Sequence, residues 1–161
     1  GTDRQDPLLR DVRCVLEHNE ERRLSGALTM TPQDIEKLQL WYGAEVTPCG
    51  SRVTCNPAPV DTDTDYLVFV ATDANLSKLM TYLAAESWQW EGATEHYQNV
   101  CANTFTSFRR GSDNLIVTTN RDFVRLHKIA TRICTRLNLM EKSDRIMVFQ
   151  AVLYGNTEFG L

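Results

Sequence analysis

The sequence contains no apolar run near the roughly 20 residues that a bilayer-crossing helix needs. Charged residues begin at Asp3 and no signal-peptide core follows, so we expect neither a membrane span nor export. The five cysteines are odd in number and none forms a Cys-x-x-Cys pair, which argues against a disulfide framework and a structural zinc site. These absences predict a reduced, cytoplasmic protein.

The sequence is also poor in the residues of hydrolytic catalysis. His18, His96 and His127 are far apart, and no serine or cysteine lies in a nucleophile-elbow or protease motif. A hydrolytic triad therefore has no support. His127 falls on a mostly apolar helical face, so we expect a packed side chain rather than a base.

Neither sign of charge dominates the chain. Its 161 residues include 17 basic and 21 acidic side chains, for a formal charge of −4, and 42% are hydrophobic. This composition is typical of a globular domain with its own core. The negative charge gives no overall attraction for nucleic acid, so any polyanion must be held by a local basic cluster such as Arg109-Arg110 or Arg132 with Arg136.

Hydrophobic periodicity and capping residues predict helices and strands. The predicted helices are an amphipathic segment over 6–24, a helix that begins at Thr31-Pro32, a helix capped by Asp73, and helices that begin at Asn120 and Ser143. The predicted strands are a short one over 44–47 that ends in a tight turn over 48–51, a buried one over 66–70, and a hairpin of 104–110 and 115–119 around the turn 111–114. Pro57 and Pro59 predict a loop over 52–62.

The order of these elements predicts the architecture. We expect an α/β (α+β) fold, a small mixed β-sheet flanked by helices, with the strand over 66–70 at its centre. The chain is interpreted as a single domain over 1–161. Helices in 1–43 precede the sheet in 44–119, and helices in 120–161 follow it.

A run of alternating acids, Thr62-Asp63-Thr64-Asp65, leads into the buried strand. Residues two apart on an extended chain point to the same side, so Asp63 and Asp65 converge and can share one hard cation, and Asp61 has the same parity. Two carboxylates held close together are costly unless a cation neutralises them. On this run alone, an equally supported interpretation is that the acids only keep a turn soluble and the strand from aggregating.

Gly50 and Ser51 precede the acids along the chain. A glycine lets the backbone approach a triphosphate closely, the Ser51 hydroxyl can donate a hydrogen bond to its oxygens, and Arg52 supplies positive charge. A Gly-Ser pair is weak evidence by itself. Together with Asp63 and Asp65, it predicts a site for a nucleoside triphosphate and a divalent cation.

The spacing of these residues resembles a known family. Gly50-Ser51-Arg52, a spacer and then the run 62–68 look like the motif of the nucleotidyltransferase superfamily to which DNA polymerase β belongs. The run 114–118, Lys142, Asp144-Arg145 and the run 149–155 are also similar to uncharacterised single-domain members encoded by bacteriophages. The resemblance implies that Gly50 and Ser51 bind the β and γ phosphates and that Asp63 and Asp65 coordinate Mg²⁺ (or Mn²⁺). It further implies transfer of a nucleoside monophosphate to a hydroxyl of a protein, an RNA or a small molecule.

One position departs from the family pattern. The third catalytic carboxylate of active members is replaced by Asn114, and an amide cannot accept the proton of the attacking hydroxyl. Asp113 points to the opposite face of a strand unless the hairpin is bulged there. Two functions therefore stay open. We prefer the enzyme. The alternative is an inactive relative that binds a nucleotide or a protein partner, for instance a phage factor acting on host machinery. The partner interpretation includes a second copy of the chain, as a homodimer.

Several other residues are secondary candidates. Ser107 and Arg109 share one strand face, but Arg109 and Arg110 are interpreted as exposed charges on an edge strand rather than as phosphate ligands. The same ambiguity holds for Lys142 and Arg145. Residues expected to pack in the core or its rim, or to lie in a loop, are Trp88, Trp90, Tyr97, Cys49 and Cys55.

Overall fold

Five helices and five strands form in the residues that the computed structural model describes, which are 29–60, 62–92 and 104–155. The helices are α1 (Pro32–Tyr42), α2 (Ser51–Thr54), α3 (Asp73–Ala85), α4 (Arg121–Leu137) and α5 (Lys142–Tyr154). The strands are β1 (Glu45–Cys49), β2 (Thr64–Phe69), β3 (Gln89–Gly92), β4 (Thr106–Arg110) and β5 (Asp113–Thr118). The helix predicted over 6–24 lies outside the described residues.

The strands form one mixed sheet in the order β1-β2-β5-β4-β3. β2 and β5 are parallel, and the other neighbours are antiparallel. This confirms the predicted fold class of a small mixed sheet flanked by helices. The prediction that the strand over 66–70 is central is wrong, because the hairpin places β5 between β2 and β4 and thereby makes β5 the middle strand, buried along its whole length.

Successive side chains of β2 and β5 point to opposite sides of the sheet, which gives it two apolar faces, each covered by helices. One core contains Val68, Val70, Leu115 and Val117 with side chains of α1 and α3, including Leu38, Leu79 and Leu83. The other contains Leu67, Phe69 and Ile116 with side chains of α4 and α5, including Phe123, Ala130, Cys134 and Phe149. Asp65 and Asn114, described below, lie two residues before Leu67 and Ile116 and therefore on the second face. Within the described residues, no helix combines the length and apolar character that crossing a bilayer requires.

Local capping signals behave largely as predicted. Thr31 caps α1 in a capping box, where its hydroxyl accepts from the amide of Asp34 at 3.2 Å and Asp34 accepts from the Thr31 amide at 2.9 Å. Asn120 caps α4. Two predicted caps are wrong by one or two residues, since Thr72 rather than Asp73 caps α3, and α5 begins at Lys142 after Glu141 rather than at Ser143.

Three predicted boundaries shift near the acids. β1 continues through Pro48 to Cys49, because an edge strand tolerates the missing amide of a proline. The segment after Gly50 is the one-turn helix α2 rather than the start of a loop. The hairpin turn is only Gly111-Ser112, which leaves Asp113 and Asn114 within β5. Cys49 and Cys55, expected in a loop, are buried cysteines at the end of β1 and just after α2.

Candidate functional site

Four strands place four side chains side by side on one face of the sheet. Cys49 of β1 pairs with Asp65 of β2, Asp65 with Asn114 of β5, and Asn114 with Arg109 of β4. Directly paired residues project to the same face of a sheet, so these side chains form a continuous row, called here the site row. Asp63 lies two residues before Asp65, directly before β2 begins, and is counted with the site row.

The site row forms one wall of a cleft of about 310 Å³. Its volume is at the lower end of the roughly 300–1,000 Å³ typical of small-molecule sites. The cleft is lined by Cys49, Gly50, Ser51, Thr54, Thr62, Asp63, Asp65, Arg109, Asn114, Ile116, His127, Lys142, Arg145, Ile146 and Phe149. Of the predicted site residues, only Arg52 is absent from this lining. Its Nη2 instead donates to the carbonyl of Thr62 at 2.9 Å.

Gly50 is placed so that only a glycine fits. Its backbone has φ of 77° and ψ of −170°, a region that is essentially confined to glycine. A Cβ at this position would lie 2.0 Å from Oδ2 of Asp65. The absent side chain therefore gives the Asp65 carboxylate its space next to the backbone of residue 50.

Ser51 and Arg52 hold the segment that leads into the acids. The hydroxyls of Ser51 and Thr62 lie 2.6 Å apart and share a hydrogen bond, and Arg52 binds the Thr62 carbonyl. Ser51 and Arg52 belong to the one-turn helix α2. The amides of Val53 and Thr54 close this helix by donating to the Gly50 carbonyl. This network fixes the backbone immediately before Asp63.

Arg109 joins the acids of two strands. Its Nη1 lies 3.0 Å from Oδ2 of Asp63, and its Nε lies 3.4 Å from Oε2 of Glu91 on β3. Although partial burial lowers the pKa of the guanidinium, the hydrogen bond and charge of Asp63 and then of Glu91 raise it above its ordinary value. The prediction of an exposed edge-strand charge is wrong, because β3 covers β4 and Arg109 faces the cleft.

Asn114 faces Asp65, and Asp113 does not. The Asn114 amide nitrogen donates to Oδ1 of Asp65 at 3.1 Å, and its side chain is buried. Asp113 points to the other face of the sheet, where it accepts a hydrogen bond from the amide of Met30. No bulge interrupts the β4 to β5 pairing here, so the alternation argument from the sequence holds.

The acids that reach the cleft from the described residues are Asp63 and Asp65. Asp61, which has the same parity, lies outside them. Within the same ranges, no group of three or more His, Cys, Asp or Glu side chains is gathered as a metal site. Carboxylate and amide oxygens are nevertheless hard ligands of the kind that Mg²⁺ and Mn²⁺ prefer, and the space beside Gly50 admits the Asp65 carboxylate. The residues present therefore fit a divalent cation held by Asp63 and Asp65.

His127 forms part of the cleft wall from α4. It is almost fully buried, with its ring centroid 5.7 Å from that of Phe123 and 4.8 Å from that of Phe149. Burial lowers its pKa to about 4, so the ring is neutral at pH 7. The prediction of a packed side chain is confirmed, while its position at the cleft was missed because it depends on how α4 docks on the sheet.

Three other basic candidates from the sequence lie in two places: Lys142 and Arg145 at the cleft, and Arg110 on the opposite face of the sheet. Lys142 and Arg145 of α5 line the cleft, and Nη1 of Arg145 also donates to the carbonyls of Leu139 and Met140 at 2.9 and 2.7 Å. Arg110 is buried on the other face, 3.4 Å from Oδ2 of Asp34 and 4.5 Å above the ring of Trp88. The prediction of an exposed charge is thus wrong for Arg110 as well.

The two aromatic candidates that the structure describes, Trp88 and Trp90, do not line the cleft. Trp88 is in the core, as predicted. Trp90 is exposed on the edge strand β3, with its Nε1 donating to the Thr106 hydroxyl at 2.6 Å. Tyr97 lies outside the described residues.

Comparison with known proteins gives only partial structural similarities. No protein-family model matches the chain, and no curated protein matches it significantly. Among solved structures, it is similar to the Cid1 poly(U) polymerase with MgGTP bound (17% identity, TM-score 0.44) and to Cid1 with its product ApU (15%, 0.39). A cytoplasmic RNA terminal U-transferase is also similar (14%, 0.39). Each match covers 83% of this chain but 41%, 39% and 42% of the other, so the chain spans about two fifths of the length of those proteins.

Proposed function

We propose that this chain is a nucleotidyltransferase-type domain. In this proposal it binds a nucleoside triphosphate with Mg²⁺ or Mn²⁺ and transfers the nucleoside monophosphate to a hydroxyl acceptor. The observation that supports it is the convergence of Gly50, Ser51, Asp63 and Asp65 on one cleft. Gly50 follows β1, Ser51 begins α2, Asp63 directly precedes β2 and Asp65 lies within β2. The motif Gly50-Ser51, a spacer and Asp63-x-Asp65 in the sequence predicts that these residues lie together.

The phosphate chain is the part of the substrate that the described residues explain best. Ser51 can turn its hydroxyl from Thr62 to a phosphate oxygen, and the basic groups of Lys142 and Arg145 lie along the same cleft. A cation on Asp63 and Asp65 supplies charge neutralisation for the triphosphate and for the departing pyrophosphate. A divalent cation is also what makes the pair of neighbouring carboxylates favourable.

The attacking hydroxyl has no strong base among the described residues of the cleft. Asn114 occupies the position opposite Asp65 and donates a hydrogen bond, whereas His127 is packed between two phenyl rings. In the proposed reaction the proton of the acceptor hydroxyl therefore passes to water or to a group of the substrate. Transfer is correspondingly slow, because a positioned base typically contributes about 10²- to 10⁴-fold.

The positions of Asn114 and Asp113 also favour a second function, in which the chain binds a nucleotide without catalysis. With Asn114 against Asp65 and Asp113 on the opposite face, the chain can hold a nucleotide without turning it over. Such a protein acts through a partner, and its resemblance to bacteriophage members makes a factor in the host cytoplasm our working hypothesis for either function.

The test separates binding from turnover. ATP, CTP, GTP and UTP are titrated with Mg²⁺ by calorimetry into the wild type and an Asp63→Asn, Asp65→Asn double variant, and pyrophosphate release is then measured on the same samples. The matched control is Asp73→Asn with Asp122→Asn, which removes the same charge from exposed first turns of α3 and α4. Binding lost only in the first variant supports the site, and pyrophosphate release supports the enzyme. Failure of the wild type to bind any of the four contradicts both functions.

A further inference from the structure

Arg109 sits between two carboxylates that have different surroundings. Asp63 follows the loop before β2 and is 49% exposed, while Glu91 on the edge strand is 30% exposed. The register of β3 on β4 shifts between Trp90 and Gly92, and this irregularity lies at Glu91. The guanidinium binds Asp63 through Nη1 and Glu91 through Nε, at 3.0 and 3.4 Å. The Arg109 side chain thus bridges Asp63, which lines the cleft, and Glu91, which does not.

The contact with Asp63 conflicts with cation binding. Oδ2 of Asp63 accepts the hydrogen bond of Arg109, and the positive guanidinium repels a divalent ion at the same carboxylate. Loading the site is therefore more favourable when Arg109 withdraws from Asp63. Glu91 already holds the Nε of the same guanidinium, so a small rotation of Arg109 converts a shared contact into a full ion pair with Glu91.

We propose that Arg109 is a positioning residue that holds Asp63 in the cation-free site and transfers to Glu91 when the divalent cation binds. Glu91 then forms the ion pair with the displaced Arg109 guanidinium, although Glu91 contacts neither cation nor nucleotide. The inference rests on the cation site of the proposed function and adds two residues to it. It makes cation affinity depend on an exchange between two ion pairs.

The exchange predicts effects of opposite sign at the two residues. Arg109→Gln removes the competitor, so Mn²⁺ binding in the absence of nucleotide should tighten about fivefold, the scale of a partly exposed ion pair. Glu91→Gln removes the second acceptor, so Arg109 stays on Asp63 and Mn²⁺ binding should weaken about threefold. In the Arg109→Gln background, Glu91→Gln should have almost no effect, because Glu91 acts only through Arg109.

The experiment measures Mn²⁺ binding by electron paramagnetic resonance of the free ion, for the wild type, both single variants and the double variant. Arg125→Gln is the matched control, since Arg125 is exposed and pairs only loosely with Asp122 at 3.9 Å. Circular dichroism confirms that each variant is folded. Tightening by Arg109→Gln, weakening by Glu91→Gln and non-additivity in the double variant support the exchange. Additive effects, an Arg109→Gln change equal to that of Arg125→Gln, or no Mn²⁺ binding by any of the proteins overturns it.

A second titration with ATP and Mn²⁺ separates this inference from the proposed function. If the wild type binds the Mn²⁺-ATP complex but the variants show no exchange, the inference fails and the nucleotide site stands. If neither the wild type nor Arg109→Gln binds Mn²⁺-ATP, the cation site itself is absent, and the proposed function and this inference fail together.

Discussion

Gly50 and Asp65 approach each other across the β1 to β2 pair so closely that a methyl group on Gly50 would lie 2.0 Å from Oδ2 of Asp65. The glycine backbone also has a positive φ of 77°. Position 50 is therefore constrained twice, once by its own conformation and once by the carboxylate that it accommodates.

Gly50→Ala should destabilise the fold and abolish binding of a cation and nucleotide together. The backbone strain alone costs about 1–3 kcal/mol, and the carboxylate must also move away from the methyl group. Urea unfolding gives the loss in the free energy of unfolding, and calorimetry with Mg²⁺-ATP gives the loss of binding.

Gly43→Ala is the matched control for this change. Gly43 caps α1 with a φ of 61°, and an added Cβ would meet no atom within 4 Å. Its replacement should cost about 1 kcal/mol and leave binding unchanged. Equal effects of the two substitutions would show that strain alone matters and that Asp65 is not confined by Gly50.

Arg109 and Arg110 are neighbours in sequence with opposite surroundings. Arg110 is buried beside Asp34 and Trp88, so Arg110→Gln should lower the free energy of unfolding by about 3 kcal/mol while leaving nucleotide binding intact. Arg109→Gln should change nucleotide binding while altering the free energy of unfolding only slightly. Chemical denaturation and calorimetry of both variants check the contrast, and a large stability loss for Arg109→Gln would contradict it.

Local patterns in the sequence predicted much of the site. The alternation of Asp63 and Asp65 and the opposite directions of Asp113 and Asn114 follow from the two-residue period of an extended chain. Gly50 was predicted from the close backbone approach that a glycine allows. The capping box at Thr31 and the cap at Asn120 are likewise local, since each depends on residues three apart.

Relationships between distant segments were not predictable in the same way. The insertion of β5 beside β2 depends on hydrogen bonding between strands whose paired residues are 49 positions apart in sequence, and it brings Asn114 to Asp65. The pairing of Arg109 with Asp63 spans 46 positions. Burial of Arg110 likewise depends on an acid from α1 and a tryptophan before β3, which no periodicity along β4 reveals.

His127 should make stability depend on pH below neutrality. Its pKa is about 4 in the folded protein, against an ordinary value of 6.5, so between these values the unfolded state binds more protons than the folded state. Stability is fully present above about pH 6.5 and is lost as the pH falls toward 4. The loss amounts to about 3 kcal/mol from this residue.

The contribution of His127 is isolated by His127→Gln, which cannot gain a charge. Urea unfolding from pH 7 to pH 4 should show a markedly smaller decline for the variant than for the wild type. Parallel declines would mean that other groups control the acid sensitivity and that His127 is not buried as a neutral ring.

Asn114→Asp tests why the chain has an amide beside Asp65 in the site row. The Asn114 side chain lies 3.1 Å from Oδ1 of Asp65, so a carboxylate there places two like charges in contact and should destabilise the cation-free protein by about 1–3 kcal/mol. Added Mn²⁺ should restore that loss, because the new acid becomes a further oxygen ligand. Thermal unfolding with and without Mn²⁺ measures both effects, and Asn75→Asp in the first turn of α3 controls for the added charge.

The same variant distinguishes the two proposed functions through turnover. If the chain is a slow enzyme that lacks a base, Asn114→Asp should raise pyrophosphate release at least about tenfold, given the 10²- to 10⁴-fold that a positioned base typically contributes. If the chain only binds nucleotide, Mn²⁺ will rescue stability while pyrophosphate release stays at the level of Asn75→Asp. A variant that Mn²⁺ does not rescue would contradict the cation site, because three converging carboxylates without a cation are strongly unfavourable.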